Sequence, residues 1–349
     1  MKIIVRADAG IEIGSGHVMR CLMFANRLRQ RGADISFVCN DMNGNLNRLI
    51  ERNGYVVRSL FSNDVKCMIG ILQNENTTVD WLLVDHYSLD ACWEKQLRPY
   101  VGKIMVFDDL ANRPHDSDVL LDANYTKNIK NRYDGLLPVS CERFLGPKYA
   151  LLREEFYAEK NKLLKRDGVV RRIFVSFGGA DLTNETAKVL KAIKAWNRPE
   201  IVIDVVIGAL NPHKKEVERF AKELPKHSLY YQVDNMAQLM SEADLSIGGG
   251  GTTTWERCFL GLPSIVLVLA QNQEESTAAV AEAGAIWSLG NCSFVSEIEI
   301  IASLERAVRN PALVRNMRVN ALKLMGDKKN DHIDEILDLI MEEKKIGAH

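Results

Sequence analysis

A histidine between a glycine-rich loop and a predicted helix is the feature of this sequence that most directly indicates catalysis. Arg6 and Asp8 close an apolar run, Gly14-Ser15-Gly16-His17 follows, and Arg20 comes three residues later. Glycines permit close approach of a ligand, and the positive end of a helix dipole favours an anion but disfavours an imidazolium ion. We therefore expect His17 to be neutral near pH 7 and to accept a proton, although it could instead only cap the helix.

A run of four glycines and three threonines predicts a phosphate-binding loop. Gly248–Gly251 follow a predicted strand, Leu245–Ile247, and precede a predicted helix, Trp255–Leu260. Backbone N–H groups of such a loop, the threonine hydroxyls and the helix dipole all favour an anion. Because the lysine of a Walker loop is absent, a diphosphate within a nucleotide sugar fits better than triphosphate hydrolysis. Glu256 is placed to accept hydrogen bonds from ribose hydroxyls.

Other candidates stand at predicted strand ends. Gly178-Gly179, within Ser176–Asp181, form either a second wall of the site or a simple turn. The amides of Gln271-Asn272-Gln273 suit sugar hydroxyls or acetamido groups, or else cap the next helix. The acids of Asp85-His86-Tyr87 and Asp108-Asp109 could orient a base or bind a metal, although such acids more often cap helices.

Metal and cofactor sites are not indicated by the remaining patterns. No triad of His, Asp or Glu has metal-ligand spacing, so we expect no metal and no cofactor. The loop before His17 lacks the third glycine of a dinucleotide fingerprint, which would stand at position 19, and this disfavours NAD. The seven cysteines have neither zinc nor CxxC spacing and are typical of reduced core thiols in a cytosolic protein.

Short β-branched runs alternate with amphipathic helical stretches from end to end, which is typical of parallel, doubly wound α/β domains. The predicted strands are Lys2–Arg6, Asp34–Val38, Tyr55–Ser59, Trp81–Asp85, Lys103–Asp108, Val119–Asp122, Arg172–Phe177, Val202–Ile207, Leu229–Tyr231, Leu245–Ile247, Ser264–Leu269 and Ala285–Ser288. Between about Leu145 and Arg171 we predict a charged helix and no strand. We therefore predict two Rossmann-like domains, 1–150 and 166–330, facing a cleft, and a helix within 331–349 that could pack on either.

Composition bounds the partners and the compartment. The chain has 349 residues, a formal net charge of −1 and 46% hydrophobic residues. It therefore has no bulk basicity to attract nucleic acid or anionic lipid. No apolar run approaches the length of a membrane span, and the first ten residues do not form a signal peptide. We expect a cytoplasmic protein without nucleic-acid or membrane partners, and the sequence does not specify its oligomeric state.

Taken in order, these segments resemble the nucleotide-sugar hydrolases of pseudaminic acid biosynthesis. That family hydrolyses UDP-2,4-diacetamido-2,4,6-trideoxy-β-L-altropyranose and includes proteins of spore-coat or flagellar polysaccharide synthesis. The matching segments are Arg6–Asp8, Gly14–Arg20, Val84–Tyr87, Asp108–Arg113, Leu145–Phe156, Ser176–Asp181, Gly250–Glu256 and Asn272-Gln273, within about residues 1–290. The second half also resembles the nucleotide-binding half of the lipid II N-acetylglucosaminyltransferase, which has the two-domain glycosyltransferase-B fold.

The resemblance implies hydrolysis at the anomeric carbon of a UDP-sugar, with C–O cleavage, inversion and no metal. It makes His17 the base that activates water. The substrate-binding residues that we predict are Arg6, Asp8, Gly14, Gly16, Arg20, Tyr87, Asn272 and Gln273. The nucleotide-binding residues that we predict are Gly178, Gly179, Gly249, Gly250, Gly251, Thr252 and Glu256. The chain is longer at its C-terminus than the short members of the family.

Three alternatives remain at this point. A glycosyltransferase on the same fold would use an acceptor instead of water, and a membrane-bound acceptor would call for an apolar, basic patch in the first half. A nucleotide-sugar 2-epimerase is a second alternative. A non-catalytic nucleotide-sugar sensor would keep the glycine loop and would not need His17.

Overall fold

The computed structural model describes residues 1–11, 13–75, 77–163, 166–326 and 332–346, with side chains described up to residue 342. The chain divides into two units. Of the described residues, unit 1 contains those within 1–124, 128–151 and 332–346, and unit 2 contains those within 125–127 and 152–326. Each unit is built around its own sheet.

Unit 1 has a seven-stranded parallel sheet in the order β3-β2-β1-β4-β5-β6-β7. Its strands are β1 (Lys2–Ala7), β2 (Asp34–Asn40), β3 (Val56–Leu60), β4 (Val79–Asp85), β5 (Val101–Phe107), β6 (Val119–Asp122) and β7 (Glu142–Leu145). Its helices before β7 are α1 (Gly16–Gln30), α2 (Asn47–Arg52), α3 (Val65–Gln73) and α4 (Ala91–Leu97). The strand order reverses between β1 and β4, and ligands of open α/β sheets bind outside the carboxyl ends of the strands at such a point.

Helices cover both faces of this sheet, which explains its near-continuous apolar strands. Along β1, Ile3 and Val5 belong to one core cluster and Ile4 belongs to the other. The apolar stripe of α1 packs in the first cluster, whereas α3 and α4 pack in the second. The alternation of side chains along a strand therefore distributes one hydrophobic run between two cores.

Unit 2 has a six-stranded parallel sheet in the order β10-β9-β8-β11-β12-β13. Its strands are β8 (Arg172–Ser176), β9 (Val202–Ile207), β10 (His227–Tyr231), β11 (Leu245–Gly249), β12 (Ser264–Val268) and β13 (Trp287–Asn291). Its helices are α5 (Glu154–Lys160), α6 (Glu185–Trp196), α7 (Lys214–Lys222), α8 (Met236–Glu242), α9 (Thr253–Phe259), α10 (Glu274–Glu282), α11 (Glu297–Arg309) and α12 (Pro311–Leu324). The order reverses again, here between β8 and β11.

The last helix, α13 (Ile333–Ile346), belongs to unit 1. Ile333, Ile336, Leu337 and Ile340 are buried in the same core cluster as α1. Asp334 also forms ion pairs with Arg27 of α1 and with Arg31, the residue that caps the C-terminus of α1. The C-terminal helix is thus an element of the first unit, a question that the sequence left open.

The predicted class, two parallel α/β domains, is confirmed, and every predicted strand overlaps an observed one. Two predictions are wrong in detail. The segment Glu142–Leu145 is a strand, and between Leu145 and Arg171 the structure describes one short α-helix, Glu154–Lys160, rather than a long one. Among the described residues, no helix has the length and hydropathy that crossing a bilayer requires.

Candidate active site

His17 and Asp85 form a hydrogen-bonded pair at the carboxyl edge of the unit 1 sheet. Asp85 is the last residue of β4, whose neighbour β1 leads through the glycine loop into α1. Nδ1 of His17 lies 2.6 Å from Oδ1 of Asp85, and both side chains are buried. An Nδ1–H that donates to the carboxylate leaves Nε2 as the proton acceptor. The pair therefore has the arrangement of an oriented general base.

The electrostatics of His17 differ from the sequence expectation. The helix dipole and burial both disfavour the imidazolium ion. Burial is the largest single influence and lowers the pKa of His17, but the Asp85 carboxylate outweighs it and raises the pKa above its ordinary value of 6.5. The helix dipole alone therefore does not set the protonation of His17, because the Asp85 carboxylate acts in the opposite direction. With a raised pKa, His17 is a stronger base. At a given pH a larger fraction of it is protonated, and that fraction must lose its proton before it can act.

Arg20 keeps Asp85 ionised. Its Nε and Nη2 atoms donate to the two oxygens of Asp85 at 2.8 and 2.7 Å, and its Nη1 donates to Asp109 at 2.9 Å. Burial alone would raise the pKa of Asp85, but Arg20 and His17 hold it well below the usual range. Arg20 was predicted to bind the sugar, but its guanidinium is bound to two carboxylates. This contact gives Arg20 a role in positioning the His17–Asp85 pair.

Arg6 and Asp8 lie inside the protein, contrary to the expectation that they line the sugar site. They are 0% and 1% exposed, and Nη2 of Arg6 donates to Oδ2 of Asp8 at 2.9 Å. Asn40 and His86 also bind Asp8, and Asn63 accepts from Arg6. Burial would raise the pKa of Asp8, but these donors hold it far below its ordinary value. Both side chains are thus buried and hydrogen-bonded within the protein, so they stabilise the end of β1 and do not face a ligand in this structure.

The glycine loop before His17 is closed by its own backbone. The N–H groups of Gly10 and Gly14 donate to each other's carbonyl oxygens at 3.2 and 2.8 Å. Gly14 has φ of +77°, a conformation that a side chain would strain, whereas a Cβ on Gly16 would meet nothing within 4 Å. The space beside Gly16 is therefore open. Tyr87 packs edge-to-face on the His17 ring, and its hydroxyl donates to Asp109 at 3.2 Å.

The second glycine run lies at the carboxyl edge of the unit 2 sheet. Its glycines are divided between strand and loop differently from the prediction. Gly248 and Gly249 are the last residues of β11, and Thr252 precedes α9 without a side-chain capping bond. A Cβ on Gly248 would lie 2.3 Å from the Ser176 carbonyl oxygen, and a Cβ on Gly250 would lie 2.3 Å from Oγ1 of Thr277. Close packing therefore requires these two glycines irrespective of any ligand. At Gly251 a Cβ would make only an ordinary contact.

The neighbouring loops complete this edge. Gly178 has φ of +82°. Gly208 packs so closely on Gly179 that a Cβ on Gly208 would overlap the backbone of Gly179. Asp181 accepts hydrogen bonds from the first two N–H groups of α6, so that acid is a helix cap. Asn272 and Gln273 lie in a 3₁₀ turn, where Oε1 of Gln273 accepts from the Leu269 N–H at 3.0 Å.

Glu256 lies in the first turn of α9 and pairs with a residue that sequence reasoning did not select. Nη2 of Arg153 donates to Oε1 of Glu256 at 3.1 Å. Burial raises the pKa of Glu256, and Arg153 offsets this only in part. Arg153 could have been considered from the segment Leu145–Phe156, but nothing in the sequence indicates its partner. Within the described ranges, no group of three or more His, Cys, Asp or Glu is arranged to hold a metal ion.

The sequence matches a known family model and several known proteins. Residues 172–335 match the glycosyltransferase family 28 C-terminal domain. The chain is 31% identical over 288 residues to the UDP-2,4-diacetamido-2,4,6-trideoxy-beta-L-altropyranose hydrolase of Campylobacter jejuni, with 81% of this chain and 97% of that protein covered. It is 32% identical over 287 residues to an uncharacterized protein of Methanocaldococcus jannaschii, MJ1062, with 79% of this chain and 57% of that protein covered.

Solved structures support the fold. The crystal structure of Acinetobacter baumannii MurG has a TM-score of 0.69 with 16% sequence identity, and the match covers 98% of this chain and 99% of that one. Because the identity is low, this likeness concerns the arrangement of the chain alone. The predicted glycosyltransferase-B type of fold is thereby confirmed.

Proposed function

Because this chain belongs to the family of UDP-2,4-diacetamido-2,4,6-trideoxy-β-L-altropyranose hydrolases, a family of nucleotide-sugar hydrolases, we propose that it hydrolyses a UDP-activated diacetamido-trideoxyhexose at C1. The products are UDP and the free sugar, released with inversion in a pathway of the pseudaminic acid type. The hydrogen-bonded pair of His17 and Asp85 is the observation that carries the proposal. A sensor of nucleotide sugars would not need an oriented base.

In the proposed reaction, unit 1 supplies the base. Nε2 of His17 accepts a proton from water while the water oxygen bonds to C1 of the sugar. The C1–O bond breaks, and its electron pair remains on the diphosphate oxygen. Asp85 fixes the ring through Nδ1 and stabilises the imidazolium that forms, and Arg20 keeps Asp85 charged.

In the same proposal, unit 2 binds the nucleotide. Backbone N–H groups of Gly250, Gly251 and Thr252 stabilise the negative charge that develops on the diphosphate as the bond breaks. Gly178 and Gly179 lie on the neighbouring strand end of the same sheet edge, since β8 and β11 are paired. Glu256 accepts hydrogen bonds from the ribose, and the amides of Asn272 and Gln273 bind the sugar.

Glycosyl transfer is the second candidate, because the solved neighbours include MurG and other glycosyltransferase-B folds. One assay separates the candidates. The purified protein is mixed with a panel of UDP-diacetamido sugars and UDP release is followed with and without added acceptors. Release in water alone supports the hydrolase, whereas release that depends on an acceptor supports the transferase. Recovery of a 2-epimer would indicate an epimerase, and binding without release a sensor.

A further inference from the structure

The carboxylate of Glu256 is held by one oxygen only. Nη2 and Nε of Arg153 both donate to Oε1, at 3.1 and 3.3 Å. Within the part of the chain that the structure describes, Oε2 of Glu256 has no hydrogen-bond partner, and the side chain is 18% exposed. Arg153 thus fixes the carboxylate while leaving its second oxygen accessible from outside.

Arg153 is itself anchored at the start of α5. Its Nη1 atom pairs with Glu155 at 2.7 Å, and its guanidinium lies 5.1 Å from the ring centroid of the buried Phe156. The helix that Arg153 precedes, α5, packs directly on α9 through Tyr157 and Phe259, whose ring centroids are 5.1 Å apart. The orientation of Glu256 is therefore determined by α5 and not by α9 alone.

Three charged groups act on Glu256 besides its burial. Burial is the largest influence and raises the pKa of Glu256, Arg153 lowers it, Glu155 raises it, and Arg257 lowers it, with a net upward shift. Arg153 is the strongest of the lowering influences. Its removal therefore raises the pKa of Glu256 further, and protonated Glu256 becomes populated at higher pH than in the wild type.

We propose that Arg153 is a positioning residue that gives the nucleotide site its preference for ribose over deoxyribose, by holding Oε1 of Glu256 and presenting Oε2 to the ribose hydroxyls. The inference rests on the proposed function, which assigns Glu256 to the ribose. A carboxylate accepts stronger hydrogen bonds than a carboxylic acid. A site built to bind a hydroxyl rejects the analogue that lacks it, because the buried polar group is then left unpaired.

The test is calorimetric titration of the full chain with UDP, 2′-deoxy-UDP and 3′-deoxy-UDP at about pH 6 and about pH 8. In the wild type we expect one of the deoxy analogues to bind at least about 10-fold more weakly than UDP at both pH values. Arg153→Met should reduce this ratio to about 2–3-fold, with the loss no smaller at the lower pH than at the higher, because removal of Arg153 raises the pKa of Glu256. Arg153→Lys, which restores the charge, should recover more of the ratio than Arg153→Met.

The matched control is Arg198→Met. Arg198 pairs with Glu305 in the same unit and is 38% exposed, against 32% for Arg153. It should leave the preference for ribose and its pH dependence unchanged. If Arg153→Met does not fold, Arg153→Gln removes the charge while keeping a polar side chain, and the same loss is expected.

The outcomes separate the inference from the function on which it rests. A wild type that does not bind UDP refutes the proposed nucleotide site itself. UDP binding with an unchanged preference in the folded Arg153→Met or Arg153→Gln variant overturns the role of Arg153 alone. A wild type that binds UDP and its deoxy analogues equally, with no effect of Glu256→Gln, overturns the inference because the ribose then lies elsewhere.

Discussion

His17 and Asp85 are 68 residues apart in the chain, yet Nδ1 of the histidine lies 2.6 Å from Oδ1 of the aspartate. The contact exists because β1 and β4 are adjacent parallel strands, with Ala7 in register with Asp85. The loop that leaves β1 therefore returns its histidine to the end of β4. This relationship makes the role of each partner separately testable.

The first prediction concerns the base itself. His17→Ala should lower kcat by about 10²–10⁴-fold with little change in KM, because a general base acts in the transition state more than in binding. His17→Gln should lose somewhat less. Steady-state kinetics of UDP release, on variants shown to be folded by circular dichroism, measure both. Turnover near that of the wild type would remove His17 from the mechanism.

The second prediction concerns pH. The folded-state pKa of His17 is raised above 6.5, and the neutral ring is the active form, so kcat/KM should fall as the pH drops through that raised pKa. Asp85→Asn removes the carboxylate that raises it. The acidic limb should then move to lower pH, with a lower plateau because the ring loses its orientation.

Glu94→Gln is the matched control for this shift. Glu94 accepts from Nδ1 of His115 at 2.7 Å, and both residues are buried in unit 1, so the variant neutralises the acid of a similar pair that does not include His17. Its pH profile should coincide with that of the wild type. A limb that stays in place in Asp85→Asn would mean that a group other than His17 titrates.

The third prediction tests the packing of the glycine run. Gly250→Ala should destabilise the protein by about 1–3 kcal/mol, because its Cβ would lie 2.3 Å from Oγ1 of Thr277. Gly251→Ala, whose Cβ would lie 3.6 Å from the nearest atom of Gln273, should change stability by less than about 0.5 kcal/mol. Thermal or urea unfolding measures both variants.

A double variant makes this prediction specific to one contact. Thr277→Ala removes Oγ1, so Gly250→Ala should cost less in that background than in the wild type. Additive effects of the two substitutions would show that the strain arises elsewhere in the loop.

The fold was largely predictable because its signals are local. Runs such as Leu82–Val84 are apolar on both faces, and helices that end at glycine separate them. The strand Glu142–Leu145 was not predictable in this way, since it is short, contains two charged residues and is partly exposed along its length. Hydrogen bonding to β6 forms it, and no periodicity records that pairing.

The site was predictable as a set of strand ends but not as a set of contacts. The sequence indicates that His17 and Glu256 begin helices after strands. It does not indicate that Asp85 binds the first or that Arg153, 103 residues away, binds the second. Both contacts depend on which elements become neighbours, and that choice is made by packing over long separations. The burial of Arg6 and Asp8 has the same origin.

The last prediction is that solvent oxygen enters the sugar with inversion at C1. His17 is the one base that the proposed mechanism uses. The carboxylate nearest to it in the sequence, Asp8, is 1% exposed and already hydrogen-bonded, so it is not free to act as a nucleophile. A single displacement by water therefore fits better than a covalent sugar intermediate, and a single displacement inverts the anomeric centre.

The reaction is run in ¹⁸O-water, and the products are followed by NMR and mass spectrometry before the free sugar mutarotates. A parallel incubation of the unlabelled free sugar in ¹⁸O-water corrects for exchange at C1. Label in the sugar, with the opposite anomer and unlabelled UDP, is the expected result. Label in UDP would mean attack at phosphorus, and a retained anomer would mean two displacements and a nucleophile other than water.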